Sequence, residues 1–280
     1  MEEQPEPLRT RKLTFKRLLF SVLRVLAGVY LGLFCYAYFF TEKTIFQPPP
    51  SSYQDTDRRI FKLPSGDGAQ ISAVYLPNPK ARYTLLYSHG NAEDIGQNLQ
   101  MFTKLKEMGF AVLAYDYHGY GTSPGTPTEA NAYQDEEAAY NYLIKDRGVP
   151  ADHIIAIGHS LGSAMAIDLA SRQSLGGLIV ESAFLSADRI VTRIPLLPLD
   201  TFQNLTKISK VHCPVLVMHG RQDRVVPFWH GERLFASANE PKQALWIEGA
   251  GHNDLVEILG PRYGQALKSF AALVETGQKP

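Results

Sequence analysis

Short apolar runs recur along the chain from residue 59 to residue 247, and longer segments with helical periodicity separate most of them. A run of about four to eight apolar residues bounded by turn-forming residues is typical of a buried strand. Strands that alternate with helices build a mostly parallel sheet with helices on both faces. The pattern therefore predicts one doubly wound α/β domain over residues 57–280, with helices between the strands from the third strand onwards. The predicted strands lie near residues 59–63, 71–76, 84–88, 111–115, 154–157, 178–180, 215–218 and 244–247.

One predicted helix, over residues 127–145, has a start signal of its own. It opens with Thr126, Pro127 and Glu129, which match a capping box with proline at the first helical position. We therefore expect Thr126 to cap this helix.

Residues 18–40 break the alternating pattern, because they are apolar throughout except for Ser21 and Arg24. A helix of this length rises about 35 Å, more than the hydrocarbon thickness of about 30 Å. Arg24 would then extend its side chain towards the nearer interface. The sequence predicts one transmembrane helix over residues 18–40, a cytoplasmic basic flank over residues 1–17 and a linker over residues 41–56.

Basic residues are more frequent before this helix than after it, where Lys43 is the single basic residue in the next fifteen. By the positive-inside rule, the N-terminus is cytoplasmic and the α/β domain lies on the periplasmic, lumenal or extracellular side. A cleaved signal peptide is the alternative, although Cys35-Tyr36-Ala37 is a poor cleavage site. The basic residues before the helix are Arg9, Arg11, Lys12, Lys16 and Arg17.

The fifth predicted strand ends abruptly in Gly158-His159-Ser160-Leu161-Gly162, after which the pattern becomes helical. A serine hydroxyl is a weak nucleophile, so enzymes that use one expose it on a sharp strand-to-helix turn, beside a base and backbone donors. Glycines flank such a serine because a Cβ there would collide with the neighbouring strands. A serine that only caps a helix is the alternative, and the strand before the turn favours Ser160 as a nucleophile.

If Ser160 is the nucleophile, an acid and then a histidine should follow it, each at the end of a later strand. Asp223 follows the seventh predicted strand and His252 follows the eighth. One helix and one strand separate these two residues, and a right-handed crossover would bring their loops side by side. His252 would accept the proton of Ser160, and Asp223 would orient and stabilise the imidazole. Glu181, at the end of the sixth strand, is the alternative acid.

Three other histidines, His89, His159 and His219, flank predicted strand ends and could line the site without taking part in the chemistry. Asp116 ends the fourth strand, before the nucleophile turn, so a structural hydrogen-bonding role is expected for it.

A tetrahedral intermediate also needs hydrogen-bond donors for its oxyanion. The backbone N–H of Leu161 is one candidate, because it follows the nucleophile at the start of a helix. The backbone N–H of Asn91 is the second, since it follows the third strand and Gly90 allows a close approach of the backbone. An ordinary Gly-Asn turn is the alternative at this position.

Together these segments resemble the α/β-hydrolases, in the branch of membrane-anchored α/β-hydrolase-domain-containing proteins that includes eukaryotic protein depalmitoylases. The resemblance implies an α/β-hydrolase fold and a serine hydrolase of carboxylic esters or thioesters, with the same triad and oxyanion positions. The chain departs from the depalmitoylases at its start, where it lacks their cysteine-rich, lipid-modified N-terminus. The segments that carry the resemblance are residues 88–92, 116–121, 158–162, 219–223 and 249–254.

The composition of the chain limits which ligands and partners are expected. The formal net charge is zero and no basic patch lies outside the N-terminal flank, so nucleic acid is not expected. Neither metal-ligand spacing nor a phosphate-binding glycine loop occurs, so we expect no metal and no cofactor. The two cysteines, Cys35 and Cys213, cannot form a disulfide within the domain, since Cys35 lies in the predicted membrane helix.

A short cap is expected over residues 182–209, after the sixth strand, where an insertion would overhang the site. Its apolar residues suit an acyl chain or, alternatively, a helix packed on the core. We therefore expect a membrane-anchored serine hydrolase that acts on a small-molecule or lipid-like acyl ester through a Ser-His-Asp acyl-enzyme. A serine peptidase or lipase with the same triad, and a non-catalytic binding protein with this fold, are the alternatives. The apolar residues of the cap are Phe184, Ile190, Ile194, Pro195, Leu196, Leu197, Pro198, Leu199 and Phe202.

Overall fold

The computed structural model describes residues 15–191 and 200–277. The chain divides into two units, one ending at Thr41 and one beginning at Glu42. The first helix, α1 (Phe15–Ile45), contains an apolar stretch, Lys16–Ala37, that is long enough to cross a membrane and has no buried residue in its apolar window. This stretch overlaps the predicted span of residues 18–40, and a signal sequence would have the same character.

Eight strands within the described residues of the second unit form one sheet in the order β1-β2-β4-β3-β5-β6-β7-β8. Strands β1, β2 and β4 pair antiparallel, and all later pairings are parallel. The sheet is therefore mostly parallel, as the alternating pattern predicts. The strands are β1 (Ile60–Pro64), β2 (Gln70–Leu76), β3 (Thr84–Ser88), β4 (Ala111–Tyr115), β5 (Ile154–His159), β6 (Gly177–Glu181), β7 (Val215–Gly220) and β8 (Lys242–Ile247).

Helices cover both faces of the sheet and bury one apolar cluster on each. One cluster includes Ala164 and Leu234, and the other includes Phe102 and Phe270. Truncating a fully buried ring such as Phe270 to alanine costs about 3 to 5 kcal/mol of stability. The architecture is the α/β-hydrolase fold expected from the sequence. Within the described residues, the α-helices that begin in the second unit are α2 (Ile95–Glu107), α3 (Glu129–Asn141), α4 (Gly162–Arg172), α5 (Ala187–Val191), α6 (Asn204–Ile208), α7 (Trp229–Ser237), α8 (Leu255–Leu259) and α9 (Pro261–Gly277).

The start of α3 differs from the predicted capping box. Thr128, not Thr126, caps this helix, and its side chain accepts a hydrogen bond from the backbone N–H of Asn131. The prediction was wrong because the Glu129 carboxylate is engaged elsewhere. It accepts hydrogen bonds from the Tyr133 hydroxyl and from the backbone N–H of Phe202, so it cannot fold back onto the helix start.

The linker expected over residues 41–56 lies, from Glu42 onwards, in the same unit as the α/β domain. The rings of Phe46 and Tyr53 are buried. Tyr53 also donates a hydrogen bond to the carboxylate of Asp116, which accepts another from the backbone N–H of Ile95. Asp116 is thus a structural hydrogen-bonding residue, as expected.

The cap expected over residues 182–209 contains two short helices, α5 and α6, within its described part. Phe184 and Phe202 are buried and contact each other edge to face, with ring centroids 6.2 Å apart. Packing on the core therefore explains these two residues. The apolar residues at positions 194–199 lie outside the described residues.

Candidate active site

Ser160 lies on a sharp turn between the end of β5 and the start of α4. Its φ of 50° is in the left-handed region, which is rare for a residue with a side chain. A Cβ on Gly162 would collide with the backbone carbonyl of Ser88 in β3, and one on Gly158 would collide with the backbone of Gly162. The two glycines thus let the turn approach the sheet closely, as expected from the sequence. The Ser160 backbone N–H donates to the Glu181 carbonyl at 2.9 Å, which fixes the turn to β6.

The side chains of Ser160, His252 and Asp223 form one hydrogen-bonded chain. The Ser160 Oγ lies 2.8 Å from the His252 Nε2, and the His252 Nδ1 lies 2.7 Å from the Asp223 Oδ2. The loops after β5, β7 and β8 therefore bring together three residues that are 92 and 29 positions apart in sequence. Because a carboxylate only accepts, the Nδ1 carries the proton, and the Nε2 is left to accept from the serine hydroxyl.

Asp223 is held as a carboxylate by its surroundings. Its Oδ1 accepts hydrogen bonds from the backbone N–H groups of Val225 and Val226, at 2.9 and 2.8 Å. Burial by itself would raise the pKa of Asp223, but hydrogen bonds from His219 and His252 outweigh burial and hold this pKa well below its usual range. The His219 Nε2 lies 3.3 Å from the Asp223 Oδ2. His219, which the sequence placed only at a strand end, thus helps to keep the acid ionised.

Glu181, the alternative acid, does not contact the imidazole of His252 within the described residues. Its Oε1 accepts a hydrogen bond from the Tyr263 hydroxyl at 2.8 Å, and the side chain is buried. Burial raises the pKa of Glu181, although the nearby His159 and the Tyr263 hydroxyl oppose this. The geometry therefore favours Asp223 as the partner of the histidine.

Both candidate oxyanion donors have free backbone N–H groups. Leu161 occupies the N-cap position of α4, and no hydrogen bond to its N–H or to that of Asn91 is formed within the described part of the chain. The loop that carries Asn91 lies beside the nucleophile turn, because a Cβ on Gly90 would contact the His159 Nδ1. Ala92, the next residue, has a φ of 58°.

His159 forms a contact network that the sequence did not predict. Its Nδ1 lies 3.5 Å from the Glu93 Oε1, and its Nε2 lies 3.2 Å from the backbone carbonyl oxygen of His252. Both partners are acceptors, so these surroundings favour the doubly protonated, positively charged ring. Burial would lower the pKa of His159, but the hydrogen bond and charge of Glu93 outweigh burial and raise this pKa to about 9. Ser182 also donates its hydroxyl to the His252 carbonyl, at 3.1 Å.

A cavity of about 580 Å³ adjoins this network and is lined by residues of α2, α8 and the loop that precedes α8. His159 and His252 both contribute to its wall. Among the described residues, no group of three or more His, Cys, Asp or Glu side chains could hold a metal ion.

The chain is similar in sequence to α/β-hydrolase-domain-containing proteins of vertebrates. It is 39% identical to protein 17B of Homo sapiens over 226 residues, which cover 79% of this chain and 78% of that protein. It is 42% identical to protein 17B of Xenopus laevis over the same coverage of both chains. The family model described as serine aminopeptidase, S33, matches residues 79–206.

Solved structures share the fold at low sequence identity. An esterase of Pyrococcus furiosus superposes with a TM-score of 0.67 at 17% identity, covering 80% of this chain and 96% of that one. A monoacylglycerol lipase of Paleococcus ferrophilus superposes with a TM-score of 0.57 at 19% identity, covering 72% and 98%. The chain belongs to the α/β-hydrolase superfamily, in the branch of α/β-hydrolase-domain-containing proteins represented by proteins 17B and 17C, and it is an esterase-like hydrolase.

Proposed function

We propose that this protein is a membrane-anchored serine hydrolase that cleaves carboxylic esters or thioesters through an acyl-enzyme on Ser160. The observation that carries the proposal is the hydrogen-bonded chain from the Ser160 Oγ through His252 to Asp223, with steps of 2.8 and 2.7 Å. These are the distances over which a hydroxyl is activated by a base and the base is oriented by an acid.

The first half of the reaction forms the acyl-enzyme. The Ser160 Oγ attacks the carbonyl carbon of the substrate while the His252 Nε2 takes the hydroxyl proton. The imidazolium that results is stabilised by the ionised Asp223. When the tetrahedral intermediate collapses, His252 returns this proton to the departing alcohol or thiol, and the acyl group remains on the serine oxygen.

The second half uses water in place of the serine. His252 takes a proton from the water, the hydroxide attacks the acyl carbon, and the Ser160 Oγ leaves with that proton. The oxyanion formed in each half is received by the backbone N–H groups of Leu161 and Asn91. Loss of one such donor costs about 10²- to 10³-fold in rate.

An N-terminal anchor would confine the hydrolase to a membrane surface. The exposed apolar stretch Lys16–Ala37 supports an anchor. The excess of basic residues before it supports a cytoplasmic N-terminus, with the hydrolase domain on the opposite side. The substrate would then be an acyl ester or thioester, soluble or lipid-like, that reaches this side of the membrane.

A panel of p-nitrophenyl esters, acyl thioesters and aminoacyl amides, run on the full-length protein in detergent, tests the reaction. The amides are included because the matching family model is described as a serine aminopeptidase. Ser160→Ala should abolish turnover and labelling by a fluorophosphonate probe. Ser171→Ala, on the same helix α4, should leave both unchanged. Labelling of a folded Ser160→Ala protein at the normal rate would overturn the assignment of the nucleophile. Faster turnover of amides than of esters would overturn the assigned substrate class.

A further inference from the structure

Residues 42–47, called here the collar, contact the loop that carries the proposed oxyanion donor Asn91. The side-chain Nδ2 of Asn91 donates to the backbone carbonyl of Ile45, at 2.5 Å. Its Oδ1 accepts from the backbone N–H of Gln47 at 3.0 Å and from the Tyr120 hydroxyl at 2.6 Å. Two of these three partners are main-chain groups of the collar, so hydrogen bonds join the side-chain amide of Asn91 to the collar backbone.

The collar is itself fixed to the α/β domain. Phe46 is 4% exposed, and its ring contacts Tyr120 and Phe202 edge to face, with centroid distances of 6.4 and 5.8 Å. The Glu42 carboxylate accepts a hydrogen bond from the backbone N–H of Glu129 at the start of α3, at 3.1 Å. The collar backbone therefore has its own attachments on either side of the carbonyl that Asn91 contacts.

The loop beyond Asn91 needs such a support. The next residue, Ala92, has a φ of 58°, a conformation that is unfavourable for a residue with a side chain and persists only where neighbouring contacts enforce it. The Asn91 Oδ1 also accepts from the Ala92 N–H, at 3.1 Å. The same side chain that binds the collar thus closes the turn in which the proposed donor lies.

We propose that the collar is a positioning segment of the active site, which holds the Asn91 loop so that its backbone N–H faces the oxyanion. This inference rests on the proposed function, because it takes the Asn91 N–H as an oxyanion donor. The chain that follows the candidate membrane span would then be part of the catalytic scaffold. A misaligned donor loses transition-state stabilisation while substrate binding is retained, so the collar should act on kcat.

Three variants of the full-length protein in detergent test the proposal: Asn91→Ala, Phe46→Ala and the double variant. Asn91→Ala keeps the backbone N–H and removes the side-chain links to the collar, to the Tyr120 hydroxyl and to the Ala92 N–H. Each single variant should lower kcat for p-nitrophenyl butyrate by about 10- to 100-fold, with KM changed less than about threefold. The inhibition constant of phenylboronic acid, whose serine adduct imitates the tetrahedral intermediate, should rise in parallel.

The double variant separates a positioning role from general destabilisation. If Phe46 acts through Asn91, the double variant should lose no more activity than Asn91→Ala alone. Phe61→Ala, a truncation of a partly buried ring on β1, should leave kcat and the boronate constant unchanged. Should Phe46→Ala not fold, Phe46→Leu replaces it, with a smaller loss in the same direction.

The outcomes distinguish failure of this inference from failure of the proposed function. Multiplicative losses in the double variant, or normal kcat in a folded Asn91→Ala protein, would overturn the role of the collar while Ser160→Ala still abolished turnover. Turnover that survives Ser160→Ala would overturn the proposed function itself.

Discussion

Glu93→Gln should destabilise the protein near neutral pH and have no effect on stability above about pH 10. The substitution removes the counter-ion of the buried, doubly protonated ring of His159 and keeps the size of the side chain. Without Glu93, burial dominates and the ring becomes neutral at pH 7. A neutral ring has one N–H, so either the new side chain at position 93 or the His252 carbonyl loses its hydrogen-bond donor.

The magnitude follows from the pKa of His159. Burial lowers this pKa, but Glu93, the charge of Glu181 and the carbonyl of His252 together raise it from 6.5 to about 9. A pKa raised in the folded state stabilises that state fully below about pH 6.5, and the contribution is lost as the pH rises through about 9. At pH 7 it amounts to about 3 kcal/mol. The melting temperature of the variant should therefore lie roughly 5 to 10 °C below that of the wild type at pH 7.

The assay is thermal unfolding of the full-length protein in detergent, followed by the fluorescence of Trp229 and Trp246 at pH 7 and pH 10. Glu257→Gln is the matched control, because Glu257 lines the same cavity, is exposed and carries the same charge. The melting temperature of Glu257→Gln should equal that of the wild type at both pH values. Equal melting of wild type and Glu93→Gln at pH 7, or a deficit of the same size at both pH values, would refute the reasoning.

Three further predictions concern the acid, the topology and the substrate. Asp223→Asn should lower kcat by about three to four orders of magnitude near neutral pH, because the histidine tautomer is no longer fixed. Glu181→Gln, measured in the same ester assay, should keep a nearly normal kcat. The reverse result would make Glu181 the acid of the triad in place of Asp223. Protease added outside intact cells or spheroplasts should remove the hydrolase domain, and protection of the domain would reverse the proposed orientation. For the domain from residue 42, kcat/KM should rise up to roughly tenfold for each two carbons added to a short acyl chain, until the site is filled. A rate that stays near zero below the critical micelle concentration of the ester and jumps above it would contradict this prediction, because it would show that a lid covers the site.

The sheet and the three triad candidates could be predicted because their signals are local. Ser160, Asp223 and His252 each follow an apolar run, and the order of the runs determines which loops become neighbours. Gly158 and Gly162 are visible in the sequence, and they indicate that the turn at Ser160 packs closely against the sheet. The order of the strands left Glu181 as an alternative to Asp223. The 2.7 Å contact of Asp223 with the imidazole, beside the hydrogen bond of Glu181 to Tyr263, favours Asp223.

The pairing of Glu93 with His159 has no local signal. It arises because β3 and β5 are neighbours in the sheet, which brings the loops after them together although 66 positions separate the two residues. The collar was missed for a different reason. The collar contacts the Asn91 side chain through the Ile45 carbonyl and the Gln47 N–H. Such main-chain groups are present in every residue, so they leave no signal in the sequence. The Pro-rich stretch after Gln47 favours a spacer, and one buried ring, Phe46, makes no periodic pattern.

The carbonyl of His252 is held by His159 from the end of β5 and by Ser182 from the residue after β6. These two supports belong to the sheet, whereas the adjoining cavity is walled largely by α2 and α8. The groups that hold the His252 backbone and most of the cavity wall are therefore supplied by different parts of the chain. Substitutions on α2 and α8 can therefore change the size and polarity of this cavity while the His252 backbone stays held, so the surface beside the triad candidates can vary without loss of the proposed chemistry.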